Sequence, residues 1–245
     1  MAINDPSSCE RNVAAVVREA KESLGTVLHD SGTILYSSCT TLKPGKFYFL
    51  GLNPGGPEEG TKTILRSLDE PSSSTVNAYL DEDWSSAARK FANGGHPLQQ
   101  NYRFLFKELL EIKEDPTDVC ASNLIFRRSI GERGAKYEEL VDKCWRVHEA
   151  ILEIVRPMAI ITFGRQPFDF IKEKLHGDYH QPEKTKHGNW TWRYSILETG
   201  EKLIGLPHLS RYAVRNDPDV VKGIRSLLNR NRQPSDAMQI FLKSN

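Results

Sequence analysis

Five apolar runs bounded by glycine, proline and other turn formers alternate with amphipathic helical stretches along the chain. No other feature constrains the fold as strongly. Residues 46–53, Lys-Phe-Tyr-Phe-Leu-Gly-Leu-Asn, are entered through Pro44-Gly45 and left through Asn53-Pro54-Gly55-Gly56-Pro57. A short apolar run between turn residues reads as a strand buried on both faces. Residues 118–126 and 158–164 read the same way. Residues 189–197 alternate large apolar with polar side chains, the pattern of a strand with one wetter face, and Thr199-Gly200 turns them into a fifth run at 202–206. Between these runs, helical spacing predicts helices over 11–24, 101–112, 137–155, 167–175 and 218–228. The last has Asp217 as its cap and Pro218 in its first turn, both suited to the unpaired amides there. Pro71-Ser-Ser-Ser and residues 91–97 (Phe91-Ala-Asn-Gly-Gly-His-Pro97) read as loops.

Strands alternating with helices imply an α/β fold: a three-layer sandwich with a central, mostly parallel sheet flanked by helices. The 245 residues suffice for one large domain, and no repeat or linker demands a second. The expected organisation is a helical extension over 1–45, a core over about 46–230 and a tail over 231–245. Thirty-three Lys and Arg oppose thirty-two Asp and Glu. Any nucleic-acid binding must therefore come from a local patch. Cys9, Cys39, Cys120 and Cys144 are scattered, with no C-x-x-C spacing, which argues against a disulfide scaffold or a cysteine-rich metal site. No secretory leader and no apolar run of bilayer length are present. An intracellular, monomeric protein is expected.

In parallel sheets the ligand crevice lies beyond the carboxyl ends of the strands, so the residues there are the candidate site. The first run ends in Gly51-Leu52-Asn53-Pro54-Gly55. The glycines bring backbone close to a ligand, and the Asn53 carbonyl can hold a water without accepting its proton. The same residues also suit a plain strand-to-helix turn. The second run delivers Asn123 and then Arg127-Arg128. A buried amide is costly unless paired, and it also matches the edge of a pyrimidine, donating to one group and accepting from its neighbour. The fifth run delivers Pro207-His208-Leu209-Ser210-Arg211-Tyr212. An imidazole at a strand end can stabilise an oxygen that gains charge as a bond breaks, or can be a satisfied structural histidine. Arg127, Arg211 and Tyr212 are residue types that meet a sugar-phosphate backbone. His176 and His180 straddle Gly177, and Cys144 with His148 lack a third ligand, so no metal is expected.

Taken in order, strand–Gly-x-Asn-Pro-Gly, strand–Asn, strand–Gly, strand–His-x-Ser resembles the uracil-DNA glycosylase superfamily. It is nearest to the branches with Asn in the first motif, the mismatch-specific and single-strand-selective enzymes. Asn101-Tyr-Arg-Phe-Leu-Phe106 is similar to the Asn-Arg-Phe-Trp helix that follows that motif, and residues 160–164 to the family's third strand. The similarity runs from about residue 46 to residue 228. Two departures stand out. The family's second motif carries Pro after His and then a loop that enters the duplex, whereas Leu209 follows His208 here. The family also places a stacking aromatic before the Asn101 helix, and both Phe91 and Trp84 are candidates.

The resemblance implies a monofunctional enzyme that hydrolyses the N-glycosidic bond of uracil or a related deaminated base in DNA, with no cofactor. Asn53 and His208 would be catalytic. Gly51, Leu52, Asn123 and Phe91 would bind the base, and Arg127, Ser210, Arg211 and Tyr212 the DNA. The rival expectation is a protein of the same fold that binds DNA or a nucleotide without cleaving it.

Overall fold

A computed structural model describes residues 6–56, 62–69, 77–84, 90–109 and 118–229. The loop expected at Pro71, the helix end at Ile112 and the tail 231–245 lie outside them. In chain order the elements are α1 (Pro6–Leu24), β1 (Phe47–Gly51), α2 (Ile64–Asp69), α3 (Ala78–Asp81), α4 (Pro97–Phe104), β2 (Cys120–Asn123), α5 (Tyr137–Val155), β3 (Ala159–Phe163), α6 (Arg165–Lys174), β4 (Glu183–Lys184), β5 (Thr191–Ile196), β6 (Lys202–Leu206) and α7 (Pro218–Asn229).

The strands form one six-stranded sheet in the order β2-β1-β3-β6-β5-β4. β2, β1, β3 and β6 are parallel, β5 runs antiparallel to β6, and β4 antiparallel to β5. Strict alternation along β1 explains the layers. Tyr48 and Leu50 pack into a core shared with α1, α5 and α6, while Phe47 and Phe49 pack into a second core shared with α4 and α7. Both faces are apolar, so both are covered. The fold is a three-layer α/β sandwich.

The segment before residue 46 is not an appendage. Val16, Ala20, Leu24, Ile34 and Leu42 belong to the first core. Tyr36 N–H donates to Ala121 O at 2.8 Å, Leu35 bridges Ser122, and Ser122 Oγ donates to Ile34 O. This antiparallel contact lines the outer edge of β2. It carries Tyr36 to the carboxyl end of the sheet.

α5 is fixed against the sheet by a buried histidine. His148 Nε2 donates to Leu124 O at 3.2 Å, which leaves Nδ1 to accept from Tyr48 OH at 2.8 Å. Burial, more than any neighbour, pulls its pKa down to about 4, so the ring is neutral.

Candidate active site

Because four strands are parallel, their carboxyl ends share one edge of the sheet. There β2 ends at Asn123, β1 leads to Asn53, β3 leads to Gly164, and β6 leads to His208. The chain reverses its direction of travel across the sheet between β1 and β3. A doubly wound fold has its crevice at such a point.

Asn53 is half-buried, and both hydrogens of its amide are committed. Nδ2 donates to Pro54 O and to Ser129 Oγ, each at 2.9 Å. Ser129, itself buried, is locked in turn: its backbone N–H donates to Pro54 O at 3.0 Å and its hydroxyl to Gly131 O at 2.8 Å. The amide orientation is thereby set. Asn53 Oδ1 keeps no protein partner among the described residues and is an acceptor held ready for a water.

Asn123 is 3% exposed; its buried Nδ2 faces the Tyr36 phenol but makes no hydrogen bond of ordinary length. A buried amide left so costs about 1–3 kcal/mol, which a ligand acceptor would relieve. Its Oδ1 lies against Gly51, where a Cβ would come within 2.2 Å of it. Glycine is required at 51 because the Asn123 side chain occupies the space any larger residue would need. Gly51 and Leu52 line the site through their backbone; Leu52 O accepts from Ile125 N–H and Gly51 O from Leu124 N–H, at 2.8 and 2.9 Å.

His208 is exposed at its edge. Its Nδ1 accepts from Ser210 N–H at 3.3 Å and lies 2.7 Å from Ser210 Oγ. A backbone N–H can only donate, so Nδ1 carries no proton and Nε2 does. Burial of the ring, then the positive charge of Arg211, then His96, hold its pKa below the ordinary histidine value. The result is a neutral imidazole whose free Nε2–H is a donor. α4 steadies this loop, since Asn101 Nδ2 donates to Leu209 O at 2.8 Å.

A chain of aromatic contacts begins at Tyr36, beside Asn123. Tyr36 packs on Tyr79 at 5.0 Å and on Trp84 at 6.3 Å; Trp84 meets His96 at 5.4 Å, and His96 meets Phe91 at 5.1 Å. Burial raises the Tyr36 phenol, while Arg128 and the Asn123 amide beside it act the other way. Trp84 therefore stands closer to Asn123 than Phe91 does through these contacts. Tyr36 is the ring that sequence reasoning missed. It lies in a segment with no local motif, and only the long-range pairing to β2 brings it here.

Two expected DNA contacts are part of the scaffold instead. Tyr212 is 2% exposed, and its hydroxyl donates to Asp217 Oδ2 at 3.1 Å because that carboxylate also caps α7. Arg127 pairs with Asp30 at 3.1 Å with its side chain largely covered. Arg211 is exposed, and Ser210 orients His208. A cleft of about 240 Å³ opens beside Pro207, lined among others by Gly164, Arg165, Asn189, Trp190 and Arg193. Its two arginines suit a phosphate better than an uncharged base, and Asn53, Asn123 and His208 are not among its lining residues. Among the described residues no group of three His, Cys, Asp or Glu could hold a metal, and no helix is long and apolar enough to cross a membrane. The chain matches no known family model and no curated protein.

Proposed function

We propose that the chain is a DNA glycosylase that hydrolyses the N-glycosidic bond of uracil or a related deaminated base. The observation that carries this reading is that three polar side chains at one sheet edge each keep one atom without a hydrogen bond of ordinary length among the described residues. These atoms are an acceptor at Asn53 Oδ1, a donor at Asn123 Nδ2 and a donor at His208 Nε2. Two donors and a water-holding acceptor are what an anionic leaving base and a cationic sugar require.

The target nucleotide leaves the base stack and reaches the sheet edge beside Asn123, with Tyr36 and Trp84 giving way or stacking on it. Asn123 Nδ2 donates to a base carbonyl. Deamination turns an exocyclic amine into a carbonyl, so a donor at that position of the base selects the deaminated form over its parent, whose amine there cannot accept. As the glycosidic bond breaks, its electron pair departs with the base, and His208 Nε2–H donates to the oxygen that takes up the charge. A single such donor is worth about 2.7–4 kcal/mol. The water on Asn53 Oδ1 adds to the sugar cation and its proton goes to the base anion or to solvent, leaving an abasic sugar and a free base. An amide is a weak base, so the water attacks a cation already formed. Arg211, Arg165 and Arg193 hold the backbone.

The aromatic packing beside Asn123 favours one alternative, a protein that binds DNA without cleaving it. Single-turnover assays on labelled oligonucleotides bearing uracil, hypoxanthine or xanthine, paired and unpaired, separate the two. Abasic product from at least one of them supports the glycosylase. Retardation of the same oligonucleotides with no abasic product supports the binder.

A further inference from the structure

A nucleotide drawn out of a duplex leaves a gap in the stack, and proteins that hold such a gap open insert an apolar side chain into it. The loop after β6 cannot supply one. Leu209 is fully buried, Tyr212 is turned inward onto Asp217, and the outward side chains there are His208, Ser210 and Arg211.

The loop after β2 offers the opposite. Ile130 is 78% exposed, one of two exposed large hydrophobic residues among those described. The other, Tyr179, lies under the Lys172 ammonium at 5.1 Å, on a different part of the sheet. Ile130 follows Ser129, the residue that holds Asn53, and Ser129 is bridged to Gly55. Gly131 then turns the chain with φ of +76°, a conformation that a side chain would strain and that leaves Ile130 at the tip. On the other side, Arg128 donates to Gly55 O. An apolar tip thus follows directly on the residues proposed to place the attacking water, beside a guanidinium suited to phosphate.

We infer that Ile130 is the wedge that enters duplex DNA and fills the place of the extruded nucleotide. This rests on the glycosylase reading for its substrate and adds that the wedge comes from the β2–α5 loop. Wedge and water-holding amide then move as one body, so insertion and seating of the nucleotide are coupled.

The test compares Ile130→Ala and Ile130→Gln with the intact chain on uracil in a single strand and opposite guanine in a duplex. An exposed tip tolerates both changes without loss of fold, which circular dichroism checks. The duplex rate should fall roughly tenfold or more, with the single-strand rate within about twofold of the intact chain, because only the duplex leaves a gap to fill. A 2-aminopurine placed next to the lesion should brighten when the intact chain binds the duplex and stay dim with Ile130→Ala. An unchanged duplex rate, or an equal loss on both substrates, overturns the wedge. Should the intact chain cleave nothing, the catalytic reading fails, and 2-aminopurine still decides: brightening lost in Ile130→Ala keeps the wedge, and no brightening with the intact chain removes it.

Discussion

Ser129 tests whether the orientation of one amide matters. Its hydroxyl takes one of the two hydrogens of Asn53, and a neutral hydrogen bond of this kind contributes about 1 kcal/mol. Ser129→Ala frees that amide to rotate without touching the base or the DNA. Single-turnover kinetics should show the cleavage step slowed roughly fivefold with substrate affinity unchanged. A loss of affinity instead would assign Ser129 to binding. His208 gives a second handle through pH. Protonation would leave the Nε2–H donor in place but convert Nδ1 from acceptor to donor and break the bond from Ser210 N–H that orients the ring, so activity is lost as pH falls through its pKa, which lies below the ordinary value of 6.5. Arg211→Gln removes one of the charges holding that pKa down. The acid limb of the pH–rate profile should therefore move up toward 6.5, and a limb that stays in place would show that it does not report His208 beside Arg211. The residues at 53, 123 and 208 were legible from strand endings alone. Tyr36 was not, nor was the inward turn of Tyr212, because both depend on contacts far away in the sequence.

At the scale of elements, legibility followed periodicity. Residues 137–155 and 202–206 are helix and strand over the expected bounds, one with an unbroken 3.6-residue stripe and the other with a fully apolar run between turns. The helix after His96 is different. It starts at Pro97, capped by the His96 ring through Leu98 N–H, and passes at Leu105 into a π-helical turn that runs to Leu109. Phe106 in that turn is fully buried and stacks on Phe49 of β1 at 5.1 Å, on the apolar side where helical spacing places it. His148 gives α5 a titratable weak point. It is neutral and buried, with a pKa of about 4 against 6.5 in the unfolded chain, so the unfolded state binds the proton first. The stabilisation is complete above pH 6.5 and is lost as pH falls toward 4, by about 3 kcal/mol. Thermal melts across that window should show a drop in midpoint that is flattened in His148→Gln. Equal slopes in both proteins would place the acid sensitivity elsewhere.

For the molecule as a whole, the alternation of runs and helices fixed the layers and the mostly parallel sheet. The sequence pattern did not show that residues before 46 belong to the same core, since α1 meets α5 more than a hundred residues later in the chain. That packing brings Tyr36 over the Asn123 amide and closes the site from the side of β2. The molecule carries almost no net charge, so under the proposed function its grip on DNA would come from local arginines and weaken with salt only in proportion to their number. What unites the three scales is a neutral imidazole and two amides at the carboxyl ends of one sheet, to which the proposed function assigns the leaving base, the water and the base edge. The most direct test is the single-turnover rate of abasic-site formation from a single-stranded uracil oligonucleotide by the intact chain and by Asn53→Ala, Asn123→Ala and His208→Ala. The intact chain should yield abasic product, and each variant should lose roughly a hundredfold or more while remaining folded. Product formed at undiminished rate by all three variants would show that the chemistry, if present, is done elsewhere on the molecule.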